Sequence, residues 1–134
     1  MRIVLLSVII IIFVSCCNAT TDPNNLEPVD RIRIKSKGVN TPKDEYEISD
    51  STYVNGIIRE FKKIDPYVPD SGRSSIPVKS NRGYFEVRIY ENTVEKAVFE
   101  VVYTTYYGVI ISLENKYYRN DRLEYMIIAA ISSQ

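Results

Sequence analysis

Hydrophobic and polar positions alternate differently in successive parts of the chain. In residues 31–35, isoleucines alternate with arginine and lysine, which is the period of a strand with one buried face. The next segment has the period of a helix, which is predicted to begin at about Ser49 or Asp50 and to end before Asp65-Pro66. The apolar face of this helix consists of Val54, Ile57, Ile58, Phe61 and Ile64. Pro66 stops this helix, because the residue before a proline avoids helical geometry. Residues 38–47 and 66–82 are polar and rich in turn formers, so we predict loops there.

A second set of elements follows in the carboxy-terminal half. Residues 84–90, 97–104 and 107–113 carry apolar side chains at alternate positions and are predicted to be three strands. Their short connections favour an antiparallel meander. A final helix begins at Asn120 or Asp121, where Glu124 completes a capping box with Asp121. Its predicted buried stripe is Leu123, Ile127, Ala130 and Ile131.

The order of these elements predicts the fold class. Strand, helix, three strands and helix (β-α-β-β-β-α) is typical of an α+β two-layer sandwich. We therefore expect an antiparallel sheet of about four strands with both helices packed on one face. Residues 30–134 are enough for one such domain with a single core.

The amino terminus has a different pattern. Arg2 is followed by a mostly apolar run over residues 3–14, in which Ser7 is the one polar residue, and then by Ser15, Cys16 and Cys17. A run this short falls below the roughly 20 residues needed to cross a bilayer. One cation, a short apolar run and small residues are the features of a secretory signal peptide.

The end of this run resembles the lipobox of bacterial lipoproteins. Residues 13–16 read Phe-Val-Ser-Cys, where Phe13 replaces the usual leucine. The resemblance implies that Cys16 receives a diacylglycerol, that the signal is cut just before it, and that the new amino terminus can be acylated as well. Residues 1–15 would then be the signal peptide. It implies a cell-envelope protein held on a membrane by its lipid, since acyl chains contribute about 0.8 kcal/mol per buried methylene.

Two other cleavage sites remain open. Cleavage before Cys17 would place Cys16 in the small-residue position. Residues 17–19 (Cys-Asn-Ala) also fit the small-x-small rule, and cleavage after Ala19 would release a secreted protein without an anchor. Residues 16–29 are otherwise rich in Asn, Thr, Asp and Pro, so in the lipoprotein interpretation they form a flexible tether.

Composition restricts the possible chemistry. The chain has no histidine, and its two cysteines both precede residue 18. A Ser-His-Asp triad, a cysteine nucleophile and a Cys/His zinc site are therefore excluded from the mature domain. No glycine-rich phosphate loop is present, so we predict no cofactor and no metal. The formal net charge is zero, which gives no basis for a nucleic-acid partner.

Carboxylates are the remaining catalytic option. Four glutamates lie on or beside the predicted strands, and a hydrolase of envelope glycans needs only two converging acids. These are Glu86, Glu91, Glu95 and Glu100. The alternative interpretation is that they form cross-strand ion pairs with Arg88 and Lys96 on the solvated face of the sheet.

Two groups of residues are candidates for binding. Eleven tyrosines occur without a tryptophan, and five fall close together at strand ends: Tyr103, Tyr106, Tyr107, Tyr117 and Tyr118. Tyrosine suits contact surfaces, although it also fills sheets without any partner.

Four cations would line one face of the first strand: Arg31, Arg33, Lys35 and Lys37. They could meet anionic lipid or an acidic partner, or they could protect an edge strand.

These observations favour a small lipoprotein whose domain has no catalytic function and binds another macromolecule. An inhibitor or immunity-type protein fits the size of the chain and its missing catalytic residues, as does an accessory subunit of an envelope complex. The expected partners are a membrane, through the lipid, and another envelope protein. The alternatives are the carboxylate-dependent hydrolase and a secreted effector.

Overall fold

The structure is a computed structural model that describes residues 21–68, 83–104 and 107–134. The described residues form one antiparallel sheet of seven strands and two α-helices, α1 (Ser51–Phe61) and α2 (Asp121–Ser132). The strands are β1 (Arg31–Lys37), β2 (Glu45–Ile48), β3 (Asp65–Pro66), β4 (Tyr84–Glu91), β5 (Val94–Tyr103), β6 (Val109–Leu113) and β7 (Lys116–Arg119). They lie in the order β2-β1-β4-β5-β6-β7-β3. The predicted α+β class with a single antiparallel sheet is confirmed.

The predicted number of about four strands is wrong. The three additional strands, β2, β3 and β7, are four, two and four residues long. Strands this short barely show a period of two, so the sequence gives little signal for them. In β2, the buried Tyr46 and Ile48 nevertheless alternate with the exposed Glu45 and Glu47. The first three of these residues lie inside the segment 38–47 that we predicted to be a loop.

Both helices begin where a side chain caps them. The Asp50 carboxylate accepts a hydrogen bond from the Thr52 N–H (2.8 Å) at the start of α1. At the start of α2, Asn120 Oδ1 accepts from the Arg122 N–H (3.0 Å). Asn120 is therefore the N-cap, so the capping box predicted for Asp121 and Glu124 is not the cap that forms. The predicted buried stripe of α2 is confirmed.

The core lies between the helices and one face of the sheet. The register places Ile34, Val87 and Phe99 in one row across β1, β4 and β5, and all three are buried. Phe61 of α1 stacks on Phe99 with ring centroids 4.3 Å apart. The opposite face of the sheet, called the outer face below, carries most of the charged side chains of the strands. Val102 on this face is also buried.

Residues 21–29 pack against the domain, which differs from the tether predicted for residues 16–29. Leu26 is only 2% exposed and belongs to the core cluster. Glu27 forms an ion pair with Lys62 at 2.8 Å, next to the end of α1. Val29 also packs against the core. The packed body therefore begins earlier than residue 30, since these apolar side chains leave water on folding.

Candidate binding surface

The four cations of β1 lie on the outer face, as their spacing predicts, and two of them are paired with glutamates of β2. Arg33 Nε lies 3.1 Å from Glu45 Oε1. Glu47 Oε2 lies 3.5 Å from both Arg31 and Arg33. Lys35 stands in register between Glu45 and Glu86. The outer face of β1 is therefore part of a surface of alternating charges rather than a purely cationic stripe.

The neighbouring strand continues this pattern. Arg88 Nε lies 2.8 Å from Glu86, and its Nη1 lies 2.7 Å from Glu95. The hydrogen bonds to these two carboxylates raise the pKa of Arg88 above its ordinary value. Tyr90 lies under the Arg31 guanidinium, whose central carbon is 4.9 Å from the ring centroid. Each exposed pair contributes at most about 1 kcal/mol, so the pairs mainly neutralise the surface.

The four candidate carboxylates lie in this charged surface. Glu86 and Glu100 are direct cross-strand partners of β4 and β5, while Glu91 pairs with Lys96 at 2.9 Å. Glu86 and Glu95 both bind Arg88. The Arg88–Glu95 and Lys96–Glu91 contacts join neighbouring strands, as the ion-pair interpretation predicts. The Arg88–Glu86 contact lies within β4, and Glu86 and Glu100 face each other as two carboxylates. Within the described part of the chain, no group of three or more acidic, histidine or cysteine side chains could hold a metal ion.

The structure does not gather the candidate tyrosines into one patch. Tyr103 lies on the helix-facing side of β5 and meets Phe85 edge to face, with centroids 6.0 Å apart. Tyr118 also packs against the core. Tyr117 is the neighbour of Tyr118 in β7 and therefore lies on the opposite face. Tyr106 lies outside the described residues.

Tyr107 belongs to a different group, at the edge of the sheet that β3 forms. Its ring meets Tyr67 edge to face, with centroids 6.3 Å apart. The Arg119 guanidinium lies 4.0 Å from the Tyr67 centroid and donates a hydrogen bond to the Tyr107 carbonyl. Sequence reasoning missed Tyr67 and Arg119, because the two-residue strand that brings them together has no recognisable period.

A small cleft opens at the end of the sheet where β1 and β5 finish. Its volume is about 260 Å³, and its walls come from the β1–β2 loop, two strands and the last turns of α2. Tyr103 forms one wall, and its hydroxyl donates a hydrogen bond to the Glu124 carboxylate. Burial, together with this bond, raises the pKa of Tyr103, so the phenol stays neutral. The lining residues are Val39–Pro42, Phe85, Tyr103, Ile128, Ile131 and Ser132.

Apolar side chains of α2 are exposed beside this cleft. Ile128 at its wall is 42% exposed, and Tyr125, one turn earlier, is 71% exposed. Residues three apart on a helix share a face, so the two form a continuous apolar surface. The sequence carried a signal for it, because residues 125–131 are apolar all round the helix and exceed the buried stripe. We call the cleft together with Tyr125 and Ile128 the α2 cleft.

A buried carboxylate lies away from this cleft, on α1. The side chain of Glu60 is almost fully buried, 3.1 Å from Arg59 and 3.8 Å from Lys63. Burial alone would raise its pKa, but hydrogen bonds from Arg59 and Asn120 and the charges of Lys63 and Arg59 lower it below the ordinary value. Asn120 Nδ2 also donates to the Glu60 carbonyl at 2.7 Å. Glu60 therefore joins the end of α1 to the start of α2, which is a structural role.

Two findings complete the description of this chain. Comparisons with protein-family models, with curated proteins and with solved structures find no match to it. Over residues 21–68, 83–104 and 107–134, no helix is both long and apolar enough to cross a membrane. Cys16 and the rest of the lipobox-like segment lie outside the described residues.

Proposed function

We propose that this protein is a small cell-envelope lipoprotein whose domain has no catalytic function and binds another macromolecule. Cys16 is the lipidated residue, on the basis of the lipobox-like sequence that ends with it. The partner is a protein that this domain inhibits, protects or assists. The observation that carries the binding role is the exposure of Tyr125 and Ile128 beside a cleft.

The contrast between this surface and the outer face supports the proposal. On the outer face, Arg33 is paired with Glu45 of a neighbouring strand, and Arg88 is paired with Glu86 of its own strand and Glu95 of the next. In the α2 cleft, the large side chains of Tyr125 and Ile128 face solvent. Each Å² of apolar surface left exposed in this way costs about 25 cal/mol relative to burial. Apolar surface next to a concave feature is a recognised mark of contact sites.

The membrane attachment is tested by two matched substitutions. Cys16→Ser removes the proposed lipidation site, whereas Cys17→Ser changes the adjacent cysteine and leaves Cys16 intact. We expect Cys17→Ser to remain in the membrane fraction and Cys16→Ser to leave it. Equal membrane retention of the two variants would contradict the assignment of the anchor to Cys16.

The binding role is tested on membranes solubilised in mild detergent. The wild-type protein is expected to migrate on a native gel within a complex, as a species larger than the isolated processed chain that begins at Cys16. Tyr125→Asp is expected to reduce that species, because a charge replaces an exposed ring. A wild-type protein that migrates alone at all concentrations would contradict a stable macromolecular partner.

A further inference from the structure

The packed amino-terminal segment and the α2 cleft lie at opposite ends of the sheet. The Thr21 N–H donates a hydrogen bond to Glu114 Oε1 (2.6 Å), in the turn between β6 and β7. The cleft lies at the other end, where Tyr103 pairs with Val109 at the start of β6. The five residues from Val109 to the turn at Glu114 correspond to roughly 17 Å of strand. The sheet therefore separates the cleft from the point where the chain enters the domain.

The chain between Cys16 and Thr21 is so short that it determines which end of the sheet lies near the membrane. Four residues lie between Cys16 and Thr21, so five Cα–Cα steps join them. A chain of that length spans at most about 18 Å, whatever its conformation. With a lipid on Cys16, the turn at Glu114 stays close to the bilayer surface. The cleft end of the sheet is free to project into the aqueous compartment.

The charges near the attachment point favour the same orientation. Residues 21–30 contain three acidic residues and no basic residue, namely Asp22, Glu27 and Asp30. Glu114 adds a fourth carboxylate, and its hydrogen bonds with Thr21 lower its pKa, so that it is ionised at neutral pH. Membrane surfaces that carry anionic lipid repel such a segment. Lys62, which pairs with Glu27, and Lys116 beside Glu114 offset part of this charge, so the repulsion adds only weakly to the constraint set by the short connection to Cys16.

The size of the cleft restricts what can occupy it. At about 260 Å³ it is smaller than the roughly 300–1,000 Å³ of typical small-molecule sites. Most of its lining is apolar, from Val39, Pro42, Phe85, Ile128, Ile131 and the ring of Tyr103, and the side chains of Asn40, Thr41 and Ser132 add polar groups. A pocket of this kind suits one large apolar side chain at the centre of a protein interface.

We propose that the α2 cleft receives one large apolar side chain of a soluble protein, and that the position of the anchor turns the cleft away from the membrane. This inference rests on the proposed lipid anchor and binding role and specifies the site and the class of partner. The partner approaches from the aqueous compartment, so it is neither lipid nor an integral membrane segment. Tyr125 supplies the apolar rim beside the pocket, and Ile128 supplies part of its wall.

The test uses the full-length, anchored protein in intact cells. A photo-crosslinking phenylalanine analogue replaces Ile128, Val94 or Lys35 in three separate variants. Val94 is the matched control, because it is 60% exposed and starts β5, about 30 Å of strand from Tyr103. Lys35 probes the outer face. Mass spectrometry then identifies each adduct, and acylation of Cys16 is measured in the same samples.

The expected result is a protein adduct from position 128, mapped to a soluble envelope protein, with no such adduct from position 94. Lipid adducts, adducts to a second copy of this chain, or no adduct at position 128 would overturn the inference. Protein adducts from position 35 alone would also overturn it, while leaving the proposed binding role intact. Absence of acylation on Cys16 would instead contradict the lipid anchor, which is part of the proposed function.

The identified partner allows a quantitative test. Ile128→Glu and Tyr125→Glu should each weaken its binding to the purified lipoprotein by at least tenfold. Val94→Glu, the same change of charge at the far end, should leave binding within twofold of wild type. Circular dichroism shows whether each variant is folded. Equal weakening by all three variants, or by none, would contradict the assignment of the cleft.

Discussion

Gly56 of α1 lies directly against the side chain of Met126 in α2. A β-carbon at position 56 would overlap the Met126 terminal methyl group, and Gly56 itself is buried. This contact explains a residue that otherwise weakens α1, since glycine costs up to about 1 kcal/mol in a helix interior. The absent side chain lets the two helices approach closely over the sheet.

A double-mutant cycle tests this contact. Gly56→Ala adds helix propensity but forces Met126 to move, so we expect a change in the free energy of unfolding within about 1 kcal/mol of zero. Met126→Ala removes the obstacle. The double variant should therefore be more stable than the sum of the single changes by about 0.5–2 kcal/mol. Additive effects in urea unfolding would show that the two residues do not interact.

Glu60 should make stability sensitive to acid. Its folded-state pKa lies below the unfolded value of about 4.5, so its ionised form stabilises the fold at neutral pH. That contribution is present above about pH 4.5 and is lost as the pH falls through the folded-state pKa. Glu60→Gln should lose less stability than wild type between pH 7 and pH 2.5 in urea unfolding. An identical loss in both proteins would exclude this role.

Leu26 should contribute to the core although it lies outside the regular elements that form the sheet and helices. We expect Leu26→Ala to lower the free energy of unfolding by about 2–5 kcal/mol, because it leaves a cavity at a position that is 2% exposed. Val68→Ala is the control, since Val68 is 82% exposed and its truncation should cost at most about 0.5 kcal/mol. A Leu26→Ala variant as stable as the control would show that residues 21–29 do not contribute to the packed domain and belong to the flexible tether.

Asn120 should matter for two separable reasons. Asn120→Ala removes the cap of α2 and the hydrogen bond to the Glu60 carbonyl, for an expected loss of about 1–3 kcal/mol. Asn120→Ser keeps a capping oxygen but lacks the amide Nδ2 that donates to that carbonyl, so it should recover about 1 kcal/mol of the loss. Thermal unfolding of both variants measures the difference. If serine recovers nothing, the cap is not the source of the effect.

The long elements could be predicted from the sequence because their patterns are regular. The isoleucines of β1 and the stripe that contains Leu123 and Ile127 repeat with one period over several residues. For β3 and β7, pairing with neighbouring strands decides the structure, and no local pattern indicates it. The alternation in β2 covers only four residues, which is too short to identify a strand inside a polar segment. Leu26 shows the same limit, because its burial depends on a contact with residues far along the chain.

The candidate binding surface was less predictable than the fold. The position of the β1 cations on one face follows from alternation alone, but the glutamates that pair with them come from strands whose register cannot be read locally. The tyrosines near residue 103 cluster in sequence, whereas the strands send Tyr117 and Tyr118 to opposite faces. The α2 cleft combines residues from distant segments, such as Val39 and Ile128, that only the fold brings together.

Intact mass spectrometry of the processed protein, purified from membranes, tests the central claim most directly. The account predicts a chain that begins at Cys16 and carries a diacylglycerol on that cysteine, with or without a further acyl chain on its amino group. An unmodified chain that begins at Thr20, or a full-length chain that still begins at Met1, would contradict it.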